Sequence, residues 1–207
     1  MAQNDILDDL ISSWAYSSRL PESSTIFYKI RNIPYMLYPE LMNNWAGALE
    51  MLRRNCGSCS PKHFLMARMF NRLNLETRLV TYPFVWQEQS IIFPAKLKIF
   101  LHKLPISYHV ACQIKVNNEW LSVDATFDPP LKKFGFIVNE WGGKNSTPIS
   151  FYYREKIVHK SEDDRSEYVK GMRSLIPDEQ KILEKKFHQE LNVLFEELRE
   201  YSRTNHL

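Results

Sequence analysis

Three residues in separate segments of the chain, Cys59, His109 and Asp124, have the side-chain types that nucleophilic catalysis requires. A cysteine attacks only as the thiolate, so its usual pKa of about 8.5 must be lowered by an imidazolium or by the amides at a helix N-terminus. Cys59 follows a glycine-containing turn and precedes a helix predicted to begin near Pro61, where backbone N–H groups can approach it. With His109 as the base and Asp124 as its orienting acid, the residues predict a Cys-His-Asp triad, provided that the fold brings them together.

A β-hairpin is predicted to carry two of these residues. Residues 108–116 and 120–127 alternate with a period of two, and Asn117-Asn118 between them is typical of a two-residue turn. One face is apolar and is predicted to face the core: Val110, Cys112, Ile114, Val116, Leu121, Val123 and Ala125. The other face is predicted to be polar: His109, Ala111, Gln113, Lys115, Trp120, Ser122 and Asp124.

The register of this hairpin decides whether the imidazole and the carboxylate can meet. A two-residue turn pairs Val116 with Glu119, and counting outward places Asp124 opposite Ala111. His109 is two residues from Ala111 and points to the same side, as a diagonal neighbour about 7–8 Å from Asp124. A three-residue loop without a bulge would put the two residues on opposite faces, so the triad depends on the two-residue turn.

The segment after Cys59 predicts a central helix. It runs from about Pro61 to Leu73, with Ser60 as a candidate N-cap and proline in the first turn. Apolar residues cover most of its circumference, which is typical of a buried helix. We therefore expect an α+β fold in which a central buried helix carries Cys59 at its N-terminus and packs on an antiparallel β-sheet.

The rest of the chain predicts elements around this centre. We expect a helix over residues 6–14, a strand over 25–31, a helix over 39–54, a strand over 77–82 and a solvated linker at 162–165. Residues 175–203 predict an amphipathic C-terminal helix packed on the core. The prediction is one domain over residues 1–207, with a helix and strand extension at 1–44 and the core at 45–150.

Composition excludes several classes of protein. The 207 residues are 44% hydrophobic with a net charge of +3, which is ordinary for a globular protein and too weakly basic to indicate nucleic-acid binding. Three cysteines, an odd number, do not indicate a disulfide framework, and the acidic N-terminus does not resemble a secretory signal. The sequence contains no run of about 18 apolar residues, which is the length that a membrane-spanning helix needs. We expect a cytoplasmic protein without membrane or nucleic-acid partners.

Other roles for the cysteines are less favoured. Cys56 and Cys59 have the spacing of a redox pair, but no βαβ pattern precedes them, and Cys56 is expected to be structural. A zinc site from these two with Cys112 and His109 fails because residues three apart in a strand point to opposite faces. No metal site is therefore expected. His63 could reach Cys59 along the helix, but a partly exposed histidine without a role is favoured.

Three motif blocks carry a resemblance to a known family. They are Gly57-x-Cys59 followed by a helix and Leu73-Asn74-Leu75-Glu76-Thr77-Arg78-Leu79-Val80, then Tyr108-His109-Val110, then Trp120-Leu121-Ser122-Val123-Asp124-Ala125-Thr126-Phe127-Asp128-Pro129. Over residues 45 to 145 they resemble the transglutaminase-like superfamily. In that family the blocks supply nucleophile, base and orienting acid in this order, which implies these roles for Cys59, His109 and Asp124 and a papain-like α+β fold.

The resemblance implies a cysteine enzyme that hydrolyses or transamidates an amide through a thioester. Its substrate would be a peptide, a protein or a small amide, and no cofactor is expected because no calcium loop is visible. Arylamine acetyltransferases share the 15-residue spacing from His109 to Asp124, but the residues after Asp124 depart from their glycine-containing pattern. A non-catalytic binding or structural domain that retains the fold is the alternative from a different class.

Overall fold

A computed structural model describes residues 3–16, 18–42 and 44–205, with side chains from residue 6 onward. Its helices are α1 (Gln3–Ala15), α2 (Glu22–Arg31), α3 (Trp45–Arg54), α4 (Cys59–Arg72), α5 (Ala95–Leu101), α6 (Glu162–Ser174) and α7 (Asp178–Thr204). Its strands are β1 (Thr77–Phe84), β2 (Ser107–Val116), β3 (Glu119–Val123) and β4 (Ile157–His159). The strands form an antiparallel sheet in the order β3-β2-β1-β4, so the predicted α+β class is confirmed.

The hairpin of β2 and β3 has the predicted register. Val116 pairs with Glu119 and Cys112 with Val123 across a two-residue turn. Asn117 and Asn118 have φ angles of 49° and 69°, the left-handed conformation that asparagine tolerates and that matches the twist of a hairpin. The ladder ends at Val123, so β3 is shorter than the predicted strand and Asp124 follows directly after it.

Helix α4 is the central helix and packs against β2. It begins at Cys59 itself, with Ser58 in the N-cap position, two residues earlier than the predicted start at Pro61. Phe64, Leu65 and Met66 are fully buried in succession, which places α4 inside the core on all sides. The predicted buried helix with a cysteine at its N-terminus, packed on an antiparallel sheet, is confirmed.

The strand predicted over residues 25–31 is wrong, since α2 occupies this segment. Its β-branched and aromatic residues favour a strand locally. However, Ile26, Phe27 and Ile30 have helical spacing and form one buried face. Helix α2 packs on α4, and the Phe27 ring lies 5.6 Å from that of Trp141. This tertiary packing outweighs the local preference.

Two further segments differ from expectation. Residues 39–54 were predicted to form one helix, but they contain a short 3₁₀ turn and then α3. Asn44 is the N-cap of α3 and accepts a hydrogen bond from the Gly47 N–H at 3.0 Å. The charged stretch at 162–165 is the first turn of α6 and not a solvated linker. Ser161 caps this turn by accepting the Asp164 N–H at 3.1 Å, and acidic side chains at a helix N-terminus favour the helix.

The sheet is covered on both faces. Ile149 packs over a cluster of Val80, Tyr82 and Ala111 on the face that was predicted to be polar. His109 and Asp124 on this side are also fully buried. The long helix α7 buries Phe187, Leu191 and Phe195 against the rest of the chain. Within the described ranges, no helix combines the length and the apolar character needed to cross a membrane.

Candidate active site

The three residues singled out from the sequence come from three neighbouring elements. Cys59 is the first residue of α4, His109 lies in β2, and Asp124 follows β3. The Nε2–H of His109 donates to Oδ2 of Asp124 at 2.8 Å, with both side chains fully buried. The diagonal contact expected from the hairpin register is therefore present.

The Asp124 carboxylate is held by a set of hydrogen-bond donors. Oδ2 also accepts the Ser150 N–H at 2.8 Å, while Oδ1 accepts the Thr126 N–H at 3.1 Å and its hydroxyl at 2.6 Å. Burial would raise the pKa of Asp124, but the charge and hydrogen bond of His109, together with the Thr126 hydroxyl, hold it well below its usual range. The acid is therefore ionised and fixed in orientation.

The other ring nitrogen of His109, Nδ1, is buried and has no partner with regular hydrogen-bond geometry among the described residues. Because Nε2 is bonded to Asp124, the Cys59 thiol can interact with the imidazole only through Nδ1. Burial lowers the pKa of His109, but the charge and hydrogen bond of Asp124 and the interaction with Cys59 raise it to about 9.

The pKa of the Cys59 thiol moves in the opposite direction. Burial raises it, but hydrogen bonding and charge from His109, the Val110 N–H and the Arg165 guanidinium bring it below its ordinary value. A lowered thiol pKa beside a raised imidazole pKa favours the thiolate–imidazolium pair over the neutral thiol and imidazole. Such a pair combines a nucleophile with a proton donor.

His63 takes a part in this site that the sequence interpretation missed. It is fully buried, not partly exposed as expected. Its Nδ1–H donates to the Cys59 carbonyl at 2.8 Å, and its Nε2 accepts the Ala125 N–H at 3.0 Å. Burial lowers its pKa to about 4, so the ring stays neutral and links the first turn of α4 to the residue after Asp124. Its spacing of four from Cys59 was the signal for this role.

Lys62 makes a second link that no sequence signal indicated, because lysine is seldom fully buried. Its Nζ donates to the carbonyl oxygens of Arg31 at 3.1 Å and Thr126 at 2.7 Å. It thereby ties the end of α2 to the segment that carries Asp124. Burial lowers the pKa of Lys62 to about 7.

A cavity of about 290 Å³ opens at Cys59. Its walls come from the start of α4, the adjoining ends of β1 and β2, and the two C-terminal helices α6 and α7. Its volume is near the lower end for small-molecule sites. In the part of the chain that the structure describes, no three His, Cys, Asp or Glu side chains are grouped so as to hold a metal ion.

We expect Cys59 to react with iodoacetamide faster than Cys56 or Cys112. Burial raises the pKa of both other thiols, whereas that of Cys59 is lowered, so at any given pH Cys59 has the largest thiolate fraction of the three. Mass spectrometry of peptides after brief alkylation at several pH values measures each rate. Equal labelling of the three cysteines, or faster labelling of the more exposed Cys56, would contradict this assignment.

Comparison with known proteins finds likenesses among solved structures only. Neither a protein-family model nor a curated protein sequence matches the chain. A presumed cysteine protease from Cytophaga hutchinsonii matches with 18% identity and a TM-score of 0.42, over 76% of this chain and 50% of that one. A TGase matches with 16% identity and a TM-score of 0.40, over 61% of this chain and 32% of that one.

The chain therefore spans half of the first of these proteins and about a third of the second. At such identities and TM-scores the likenesses carry no argument about activity.

Proposed function

We propose that this protein is a cysteine acyl-transfer enzyme of the transglutaminase-like type. Cys59 is the nucleophile, His109 the general acid and base, and Asp124 the residue that orients His109. One observation carries the proposal: buried His109 is bonded to Asp124 through Nε2 at 2.8 Å, while Nδ1 is left for a thiol of lowered pKa.

The geometry supports a two-step reaction on a peptide, a protein or a small amide. The Cys59 thiolate attacks the carbonyl carbon, and the C–N bond breaks as His109 donates the Nδ1 proton to the leaving amine. In the second step His109 takes a proton from water or from a second amine, which attacks the thioester and releases the thiolate. Because Cys59 is the first residue of α4, the helix dipole and the backbone N–H groups of the first turn favour an oxyanion at this end of the helix.

A nucleophilic cysteine must remain reduced, and we place the protein in the cytoplasm for this reason. Cys56, Cys59 and Cys112 are free thiols, which supports a reducing compartment.

Acyl trapping with p-nitrophenyl acetate tests the function. We expect one acetyl group on Cys59 after acid quenching, released by hydroxylamine as a thioester, and identified by peptide mass spectrometry. The Cys56→Ala variant should still be acetylated, whereas Cys59→Ala should not, and His109→Gln should be acetylated much more slowly. Glutamine-containing peptides and small amides, followed by ammonia release, then define the acyl donor.

Absence of the adduct in a folded protein, or acetylation at another residue, would overturn the proposal. The binding-domain alternative would then take its place.

A further inference from the structure

Arg165 is a buried cation at the cavity beside Cys59. It lies in the first turn of α6 and is only 2% exposed. Its Nη2 donates to the Tyr108 carbonyl at 3.3 Å, and its guanidinium lies 5.6 Å from the centre of the Phe64 ring. Nε has no hydrogen-bond partner, and Arg165 forms no ion pair with any residue that the structure describes. Because buried charges are normally paired, this arrangement indicates a site for an anion.

Other residues that line this cavity also carry buried polar atoms without a hydrogen-bond partner. Among the described residues, eight buried side-chain N or O atoms have no hydrogen-bond partner, and four of them belong to residues that line this cavity. The four are Arg165 Nε, Trp86 Nε1, Ser107 Oγ and Ser58 Oγ. Arginine and tryptophan nitrogens only donate, and hydroxyl groups can donate as well. The residues that line the cavity therefore carry donors for which no described group provides an acceptor.

Other charged residues of the cavity lining are mostly positive, like Arg165. Arg173, Lys181 and Lys185 also line the cavity. Glu184 is the acidic residue among the described lining residues, and its Oε1 already accepts a hydrogen bond from Arg173 Nη1 at 3.1 Å. Lys181 is also paired, with Asp178 at 3.0 Å. Arg165 and Lys185 therefore give the lining a net positive charge, which favours an anionic ligand.

We propose that this cavity binds a carboxylate of the acyl donor, that Arg165 receives it, and that the substrates are amides bearing a carboxylate near the reacting carbonyl. The proposal rests on the acyl-transfer function proposed above. The planar guanidinium offers adjacent N–H groups that match a carboxylate. Arg165 is within electrostatic reach of the thiol, since its charge helps to lower the pKa of Cys59. A carboxylate bound there would lie close to the carbon that Cys59 attacks.

Alkylation by iodoacetate and by iodoacetamide tests the proposal. The two reagents share a leaving group and are similar in size, but only iodoacetate carries a carboxylate. The ratio of their rate constants at Cys59 cancels the thiolate fraction, so it reports the binding of the anion alone. We expect a wild-type ratio above that of free cysteine at the same ionic strength, and a decrease of about tenfold in Arg165→Gln. Arg154→Gln is the matched control, because Arg154 pairs with Glu88 at the surface and does not line the cavity.

Each outcome decides a separate point. If both reagents label Cys59 but the wild-type ratio equals that of free cysteine, or Arg165→Gln leaves it unchanged, the substrate class is overturned while the nucleophile stands. An unchanged ratio in Arg165→Gln would mean that Arg165 serves only to stabilise the thiolate. If neither reagent labels Cys59, the acyl-transfer function is overturned and the substrate class with it.

A second measurement does not depend on the folding of a variant. In the wild-type protein, glutarate should slow the alkylation of Cys59 by iodoacetamide, whereas the uncharged glutaramide should not. Equal effects of the two compounds, or no effect of either, would overturn the carboxylate site.

Discussion

Replacing Asp124 with asparagine is expected to lower the rate of acyl transfer by about 10⁴-fold, the effect seen when the orienting acid of a serine triad is changed in this way. The two Asp124 oxygens accept from His109 and Ser150 on one side and from Thr126 on the other. An asparagine NH₂ group at either position would face an N–H donor. The imidazole would then lose its orientation, the correct tautomer and its stabilising charge. Steady-state rates, with circular dichroism to verify folding, measure the effect.

The pH profile separates this role from a merely structural one. In the wild-type protein, activity should fall as the pH rises through about 9, because His109 then loses the proton that it gives to the leaving amine. The charge of Asp124 is the main factor that raises this pKa, so Asp124→Asn should move the alkaline limb to lower pH. Asp9→Asn is the control, an exposed residue of α1 with the same change of charge. A variant with an unchanged alkaline limb would contradict the role of Asp124.

Replacing Arg199 with methionine is expected to lower the free energy of unfolding by about 3–5 kcal/mol, the usual cost of leaving a buried charge without its partner. Arg199 and Asp128 are 6% and 2% exposed. They form a bidentate pair, with Nε to Oδ2 and Nη2 to Oδ1 both at 2.8 Å. Nη2 also donates to the Tyr35 carbonyl at 2.8 Å. Urea unfolding measures the loss.

Two further variants make this result specific. Arg203→Met, on the same helix, removes an exposed pair with Glu200 and should change stability by less than about 0.5 kcal/mol. The double variant Arg199→Met/Asp128→Asn leaves no lone buried charge and keeps an acceptor for the Tyr35 N–H, so it should be more stable than Arg199→Met alone. If Arg199→Met and Arg203→Met had equal stability, the buried pair would have no structural importance.

This pair connects the C-terminal helix to the candidate site. Tyr35 forms an isolated parallel bridge with Gly57, in which the Gly57 N–H donates to the Pro34 carbonyl at 3.0 Å. Gly57 precedes the turn that places Cys59 at the start of α4. Arg199 thus supports the nucleophile through the backbone, although α7 is more than 100 residues away along the chain.

The sequence by itself determined the features that depend on local geometry. The Asn117-Asn118 turn sets the hairpin register, and a period of two then puts His109 and Asp124 on one side. The apolar circumference of the segment after Cys59 identified α4 as buried, and a glycine-containing turn before it marked the helix start to within two residues. These features follow from neighbours in the chain, so the three candidate residues could be named without a structure.

The tertiary structure alone decided which other side chains surround them. Helix α2 replaced a predicted strand because its buried face packs on α4, and residues 162–165 became a helix turn that brings Arg165 to the cavity. His63 was expected to be partly exposed and no role was predicted for Lys62, yet both are buried and bonded to the segment after β3. A lone charge or histidine has no periodic pattern, and its burial depends on partners from distant segments that only the folded chain brings within hydrogen-bond distance.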